Sequence, residues 1–154
     1  MEEKVLVLGG GSWGTALALS LAKKGYEVDI WMRDKEQCEN MNYARENLKY
    51  LPGVVIPNNI NATNDIEKAL SNKKVIVSAI PTQAARENFK NIKQYTNKEQ
   101  IIVNVSKWIE VGSLSRISEI VKEELPENEY AVLSGPSHAE ELARDIPTTA
   151  VVAS

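Results

Sequence analysis

The stretch "KVLVLGGGSWGTALALSLAKKG", residues 4–25, limits the fold of this chain more than any other. A short run of valine and leucine passes directly into glycines at 9, 11 and 14, spaced G-x-G-x-x-G, and then into a helix-forming run. Between a strand and a helix each glycine has a physical task. Gly9 permits the tight turn, Gly11 lets backbone approach a pyrophosphate, and Gly14 lets helix and strand pack closely. The free N–H groups of the first helical turn, and the helix dipole, then face the phosphates. Three glycines can also be turn chemistry alone. Their place near the N-terminus, inside a β–α–β unit, favours nucleotide binding. Trp13 is expected to be exposed on this loop and to lie against the nucleotide, with local packing as its other role.

Beyond the turn, short apolar runs alternate with longer amphipathic ones. Residues 4–9, 27–32, 74–80, 101–106, 130–134 and 148–154 read as strands. Their near-continuous apolar character suits a parallel sheet covered on both faces. Helix candidates span 14–24, 34–48, 65–71, 82–94, 113–125 and 137–144. Leu114, Ile117, Val121 and Leu125 form one apolar stripe in the fifth of these. Asp65, Thr82 and Ser113 are expected N-caps and Gly25 a C-cap. The stretch 50–64, with Pro52, Gly53 and Pro57, reads as a long excursion over the surface. At 154 residues, one domain is expected. The fold class is α/β: a Rossmann-type doubly wound, mostly parallel sheet with helices on both faces and right-handed crossovers.

The formal charge of -3 provides no general attraction for nucleic acid or anionic lipid, so phosphate recognition must be local. Cys38 and His138 are each the only residue of their type, which rules out an internal disulfide and argues against a zinc site. No metal is expected. No apolar run approaches the roughly 20 residues of a membrane span, and the N-terminus lacks a signal-peptide pattern. A cytoplasmic protein without membrane insertion is the expectation.

Ligands on such sheets gather beyond the carboxyl ends of the strands. At the end of the second strand, "DIWMRD" puts Arg33 near the position that selects the cofactor, with Asp34 next to it. Arginine favours the 2′-phosphate of NADP, whereas Asp34 keeps NAD open or caps the following helix. "SAIPTQ", "NVSKW" and "LSGPSHAEE" end the later strands. Lys107 is either a ligand contact or an ordinary lysine where a strand meets solvent. Ser137 can cap the helix after Gly135 and Pro136, leaving N–H groups and a hydroxyl for an anion. Histidine as a residue type suits acid–base work, but His138 has no orienting partner visible in sequence, and Glu140, Glu141 and Arg144 read as a solvated face.

Taken in order, "VLGGGSWGTALALSLAKKGYEVDIWMRD", "NLKYLPGVVIPNNINATND", "VSAIPTQAAR", "VNVSKW" and "SGPSHAEELARDIPT" resemble the NAD(P)-dependent glycerol-3-phosphate dehydrogenases of the bacterial type. The resemblance covers nearly the whole chain. It implies hydride exchange between NAD(P)H and dihydroxyacetone phosphate, a small phosphorylated substrate, giving sn-glycerol 3-phosphate for phospholipid synthesis. It further implies that Ser12, Trp13, Arg33 and Ala139 meet the cofactor alongside Gly9, Gly11 and Gly14. Gly135 and Ser137 would meet the substrate, and Lys107 both ligands. The family's Thr-Lys-Gly appears as Ser106-Lys107-Trp108, and tryptophan should exclude any backbone only glycine tolerates. His138 stands where the family more often has phenylalanine, against a catalytic role. The family continues into a helical domain carrying a second lysine, the proton donor, and the residues that clamp the substrate phosphate. The full-length family can form homodimers. Residues 1–154 are therefore expected to form the NAD(P)-binding domain of something longer, and alone to turn over very slowly. Another dehydrogenase with this cofactor fold, such as a ketopantoate or 6-phosphogluconate type, stays open, as does a non-enzymatic nucleotide-binding or redox-sensing module. No tyrosine here has lysine four positions later, so the dyad of short-chain reductases is absent.

Overall fold

Val5 and Val7 are buried on one face of the first strand, and Leu6 and Leu8 on the other. A strand apolar on both faces must lie inside a sheet covered twice. The computed structural model, which describes residues 4–154, shows such a sheet. The elements run β1 (Lys4–Leu8), α1 (Ser12–Lys23), β2 (Glu27–Trp31), α2 (Lys35–Ala44), β3 (Glu46–Asn47), β4 (Leu51–Val55) and β5 (Ile60–Thr63). They continue through α3 (Ile66–Leu70), β6 (Val75–Ser78), α4 (Thr82–Ile92) with a 3-10 turn (Lys93–Tyr95), β7 (Ile101–Asn104), α5 (Ile117–Glu124), β8 (Glu129–Ser134), α6 (Ala139–Ala143) and β9 (Val151–Ala153).

Seven strands form one sheet in the order β5-β2-β1-β6-β7-β8-β9, and β3 pairs with β4 in a separate ribbon. Every pairing in the large sheet is parallel except β8 with β9. One core cluster packs residues of α1, α2 and α6 on Val5, Val7, Val28 and Ile30. The other packs α3, α4 and α5 on Leu6, Leu8, Ile76 and Ile102. The expected Rossmann-type architecture is therefore present. Strand order reverses between β1 and β6, and the loops after these two strands meet at that point, the ligand crevice of doubly wound sheets.

Several local expectations are corrected. The 50–64 segment is no plain surface excursion. It contains β4 and then β5, which extends the sheet parallel to β2, with Ile60 and Ala62 buried and their neighbours facing out. The fifth helix starts at Ile117 rather than 113, so Ser113 caps nothing. Glu119 instead accepts from the Arg116 N–H at 2.7 Å, and the stripe begins at Ile117 and gains Ile120. Leu114 is exposed at φ 59. α2 stops at Ala44 because Arg45 turns left-handed at φ 52. Thr82 begins α4 without capping it. α6 starts at Ala139, so Ser137 precedes the cap position, which His138 fills. Asp65 caps α3 as expected, accepting from Lys68 N at 3.0 Å, and Gly25 follows the end of α1 at φ 93.

Candidate functional site

The glycine turn is built by contact as well as conformation. Gly9 lies at φ 110, and a Cβ there would stand 2.7 Å from the carbonyl oxygen of Ala79, in the loop after β6. A Cβ on Gly14 would lie 2.0 Å from the Gly9 oxygen. Both close approaches require glycine. At Gly11 a Cβ would meet nothing within 4 Å. Its open side is the space a pyrophosphate needs, so the turn fits a dinucleotide cofactor.

Asn47, which sequence reading passed over, completes the turn. It is 2% exposed, and its Nδ2 donates to the Gly10 oxygen and to Thr15 Oγ1, both at 2.9 Å. Thr15 Oγ1 in turn donates to the Gly11 oxygen at 2.8 Å. The Gly10–Gly11 peptide is trans, so a carbonyl held inward by Asn47 turns the Gly11 N–H the opposite way, out of the protein. The only signal in sequence was the asparagine that opens "NLKYLPG".

Two open hollows lie along the carboxyl edge and share Ala79, Ile80 and Pro81. One, about 440 Å³, joins Gly9 and Gly11 to Arg33, Lys49 and Tyr50. Arg33 is exposed there, whereas the Asp34 side chain accepts from Gln37 N at 3.1 Å and caps α2. Asp34 thus caps α2 through Oδ1, and it also lines this hollow beside Arg33. Lys49 and Tyr50 reach this hollow because Tyr50 N donates to Asn47 Oδ1 at 3.3 Å, turning the chain after β3.

The second hollow, about 590 Å³, brings together Ser12, Trp13, Lys107, Ser137 and Ala139, from three different strand ends. Gly135 is beside it: the Lys107 ammonium donates to the Gly135 oxygen at 3.2 Å. A Cβ on Gly135 would lie 2.2 Å from the Thr149 oxygen, so this glycine is required by packing against the approach to β9. His138 lines the hollow but its side chain caps nothing. Ser106 Oγ is spent on the Ile80 oxygen, which ties the loops after β6 and β7 together.

Trp108 overturns one expectation. Tryptophan does not keep this position out of the left-handed region: Trp108 sits at φ 81, with 86% of its surface exposed. A non-glycine residue in this region costs about 1–3 kcal/mol. Little packing offsets that cost. Trp108→Gly is expected to raise unfolding free energy by roughly 1 kcal/mol in urea denaturation, after allowing for glycine's chain entropy.

Among the described residues no group of three or more His, Cys, Asp and Glu could hold a metal, and no helix is long and apolar enough to cross a membrane.

The family model for the NAD-dependent glycerol-3-phosphate dehydrogenase N-terminus matches residues 4–154. The chain belongs to this family. It is 53% identical over 150 residues to the glycerol-3-phosphate dehydrogenase [NAD(P)+] of Clostridium acetobutylicum, covering 97% of this chain and 45% of that protein. It is 50% identical to that of Clostridium tetani, covering 97% of this chain and 43% of the relative. The crystal structure of the Coxiella burnetii glycerol-3-phosphate dehydrogenase superposes with a TM-score of 0.93 at 33% identity, covering 98% of this chain and 46% of that one. The Saccharomyces cerevisiae enzyme gives 0.84 at 30% identity, with 94% of this chain and 45% of that one covered. The chain thus spans a little under half the length of the relatives it matches.

Proposed function

We propose that residues 1–154 form the NAD(P)-binding domain of a glycerol-3-phosphate dehydrogenase. Its reaction is hydride exchange between NAD(P)H and dihydroxyacetone phosphate to give sn-glycerol 3-phosphate, a phospholipid precursor made in the cytoplasm. The observation that carries this reading is the pair of adjoining hollows, which run from Arg33 past the glycine turn to Lys107. Their length and their cationic ends suit an elongated anionic cofactor with a second anion at its far end.

In this reading the Gly9–Gly14 turn and the start of α1 hold the pyrophosphate through N–H groups and helix dipole. Arg33 clasps the adenosine end, where its guanidinium favours a 2′-phosphate. Ser12, Trp13 and Ala139 border the nicotinamide side. The nicotinamide, when bound, supplies or accepts the hydride. Lys107 offers an ammonium with three donors, of which the Gly135 carbonyl uses one, leaving two for cofactor and substrate. Its charge, fixed before reaction, stabilises negative charge that grows on the substrate's carbonyl oxygen. Gly135 and Ser137 meet the same substrate. Proton donation to that oxygen, and the clamp on the substrate phosphate, fall to a further helical domain of the kind the family carries, and the full-length protein can form a homodimer.

Calorimetry tests the cofactor assignment. Wild-type chain is expected to bind NADPH more tightly than NADH, and Arg33→Ala to erase most of that difference by weakening NADPH about tenfold or more while sparing NADH. An unchanged preference in Arg33→Ala would refute the assignment. NADPH oxidation by dihydroxyacetone phosphate, assayed on the whole gene product, tests the reaction.

A further inference from the structure

Lys107 stands on a loop with little beneath it. Between β7 and α5, Trp108, Val111 and Leu114 are 86%, 79% and 70% exposed, so burial does not hold their backbone. Three of its residues have positive φ: Trp108 at 81, Gly112 at 97 and Leu114 at 59. Something other than a core must keep this shape.

One edge of α4 does so residue by residue. Thr82 Oγ1 donates to the Lys107 oxygen. Gln83 Nε2 donates to the Ile109 oxygen at 2.9 Å, and Gln83 Oε1 accepts from Val111 N at 2.8 Å. The two carbonyls on either side of Trp108 are therefore both held by the start of α4. One turn further on, Arg86 Nε lies 3.1 and 3.0 Å from the two carboxylate oxygens of Glu110, and its Nη2 lies 3.0 Å from Oε2. The same guanidinium reaches Glu123 and Glu124 at the end of α5, so one side chain joins α4, the loop and α5. Glu110 also accepts from Ser113 Oγ. Arg86 first, and Ser113 second, hold the Glu110 carboxyl below its ordinary pKa.

We infer that Gln83 and Arg86 are positioning residues for Lys107, clamping the loop after β7 so that Trp108 stays in a left-handed backbone and the lysine stays over the cleft. The inference deepens the proposed function and rests on it only for the role of Lys107 as a ligand contact. An isolated exposed ion pair would contribute little. Here the planar fork on one carboxylate and a two-point amide contact act together on a segment of five residues, 107–111, and geometry is what they supply.

Amide hydrogen exchange on the purified chain tests the clamp apart from any ligand. In the double variant Gln83→Ala, Arg86→Ala, amides of 107–111 are expected to exchange about tenfold faster or more, with those of β1 and α1 unchanged. In the whole gene product, NADPH and glycerol 3-phosphate, each titrated separately, are expected to bind about tenfold more weakly, with the NADPH-to-NADH ratio preserved. Arg86→Lys keeps the charge but loses the fork and should fall between. Adding Trp108→Gly to the double variant is expected to recover part of the affinity, because glycine reaches this backbone without strain. Unchanged exchange in 107–111, or faster exchange spread over the whole sheet, overturns the clamp. No recovery with Trp108→Gly overturns the link to the Trp108 backbone. Lys107→Ala separates the two ideas: if it leaves both affinities intact, the ligand role fails, while the exchange result still decides the clamp.

Discussion

Asn47→Ala is expected to lower the unfolding free energy by about 2 kcal/mol and to weaken NADPH binding about tenfold. The amide is buried at 2% exposure, and its removal leaves the Gly10 carbonyl with only the Gln37 amide at 3.5 Å. Thr15 Oγ1 loses the same donor. An unpartnered buried acceptor carries a desolvation penalty that the lost hydrogen bond alone does not measure. Binding falls because the Gly10 carbonyl, once released, no longer fixes the direction of the Gly11 N–H. Asn47→Asp sharpens the test. The volume is preserved, but an ionised carboxylate would set an acceptor against the acceptor oxygen of Gly10, so it should be no better than alanine. Urea denaturation gives the first quantity and calorimetric titration with NADPH the second. A variant that loses stability but keeps wild-type affinity would show that Asn47 supports the fold and not the cradle.

The second large effect sets two glycines against each other. Gly14 is the third residue of α1, and helix propensity alone would credit alanine there with up to about 1 kcal/mol of added stability. Sterics oppose it. The added Cβ would stand 2.0 Å from the Gly9 carbonyl oxygen and 3.2 Å from Ala79 Cβ, and the nearer obstacle is backbone that cannot rotate away. Overpacking of this kind costs about 1–3 kcal/mol, and the 2.0 Å approach puts Gly14→Ala at the upper end, so it is expected to destabilise by about 3 kcal/mol. Gly11→Ala should behave in the opposite manner. No atom lies within 4 Å of its Cβ, and stability should change by less than about 0.5 kcal/mol. Its methyl group would nevertheless fill the open side of the turn, so NADPH binding should weaken about tenfold or more. A stable Gly11→Ala that binds NADPH as well as wild type would remove the pyrophosphate from this turn.

How far the molecule could be read in advance depended on the range of the interactions involved. The sheet, its parallel strands and the glycine turn were legible because Val5 through Leu8 are apolar on both faces and run straight into the turn. β5 was not, because Pro57, Asn58 and Asn59 are strong turn signals and only Ile60 and Ala62 of its four residues are buried. An edge strand with one sheet neighbour needs no longer apolar run. The start of α5 is hidden in the sequence because Arg116 is not a preferred N-cap and the capping is done from within, by Glu119. At the site, Arg33 and Lys107 could be nominated from strand ends. Asn47, Gln83 and Arg86 could not, since their partners lie 37, 26 and 24 residues away and several are backbone atoms that carry no sequence signature. Trp108 was legible as a departure but not in its consequence. The backbone a glycine would adopt is kept, and the neighbours on both sides hold it there.

One groove along the carboxyl edge, from Arg33 across the glycine turn to Lys107, is proposed to hold the cofactor. Titrating the isotope-labelled chain with NADPH and following its backbone amide signals tests this most directly. Saturable shifts are expected at Gly9 through Trp13, at Arg33, at residues 79, 80, 82 and 83 and at Lys107, with the far ends of the strands, including Lys4 and Val75, unmoved. Shifts that cluster elsewhere, or none at millimolar NADPH, would place the cofactor outside this groove.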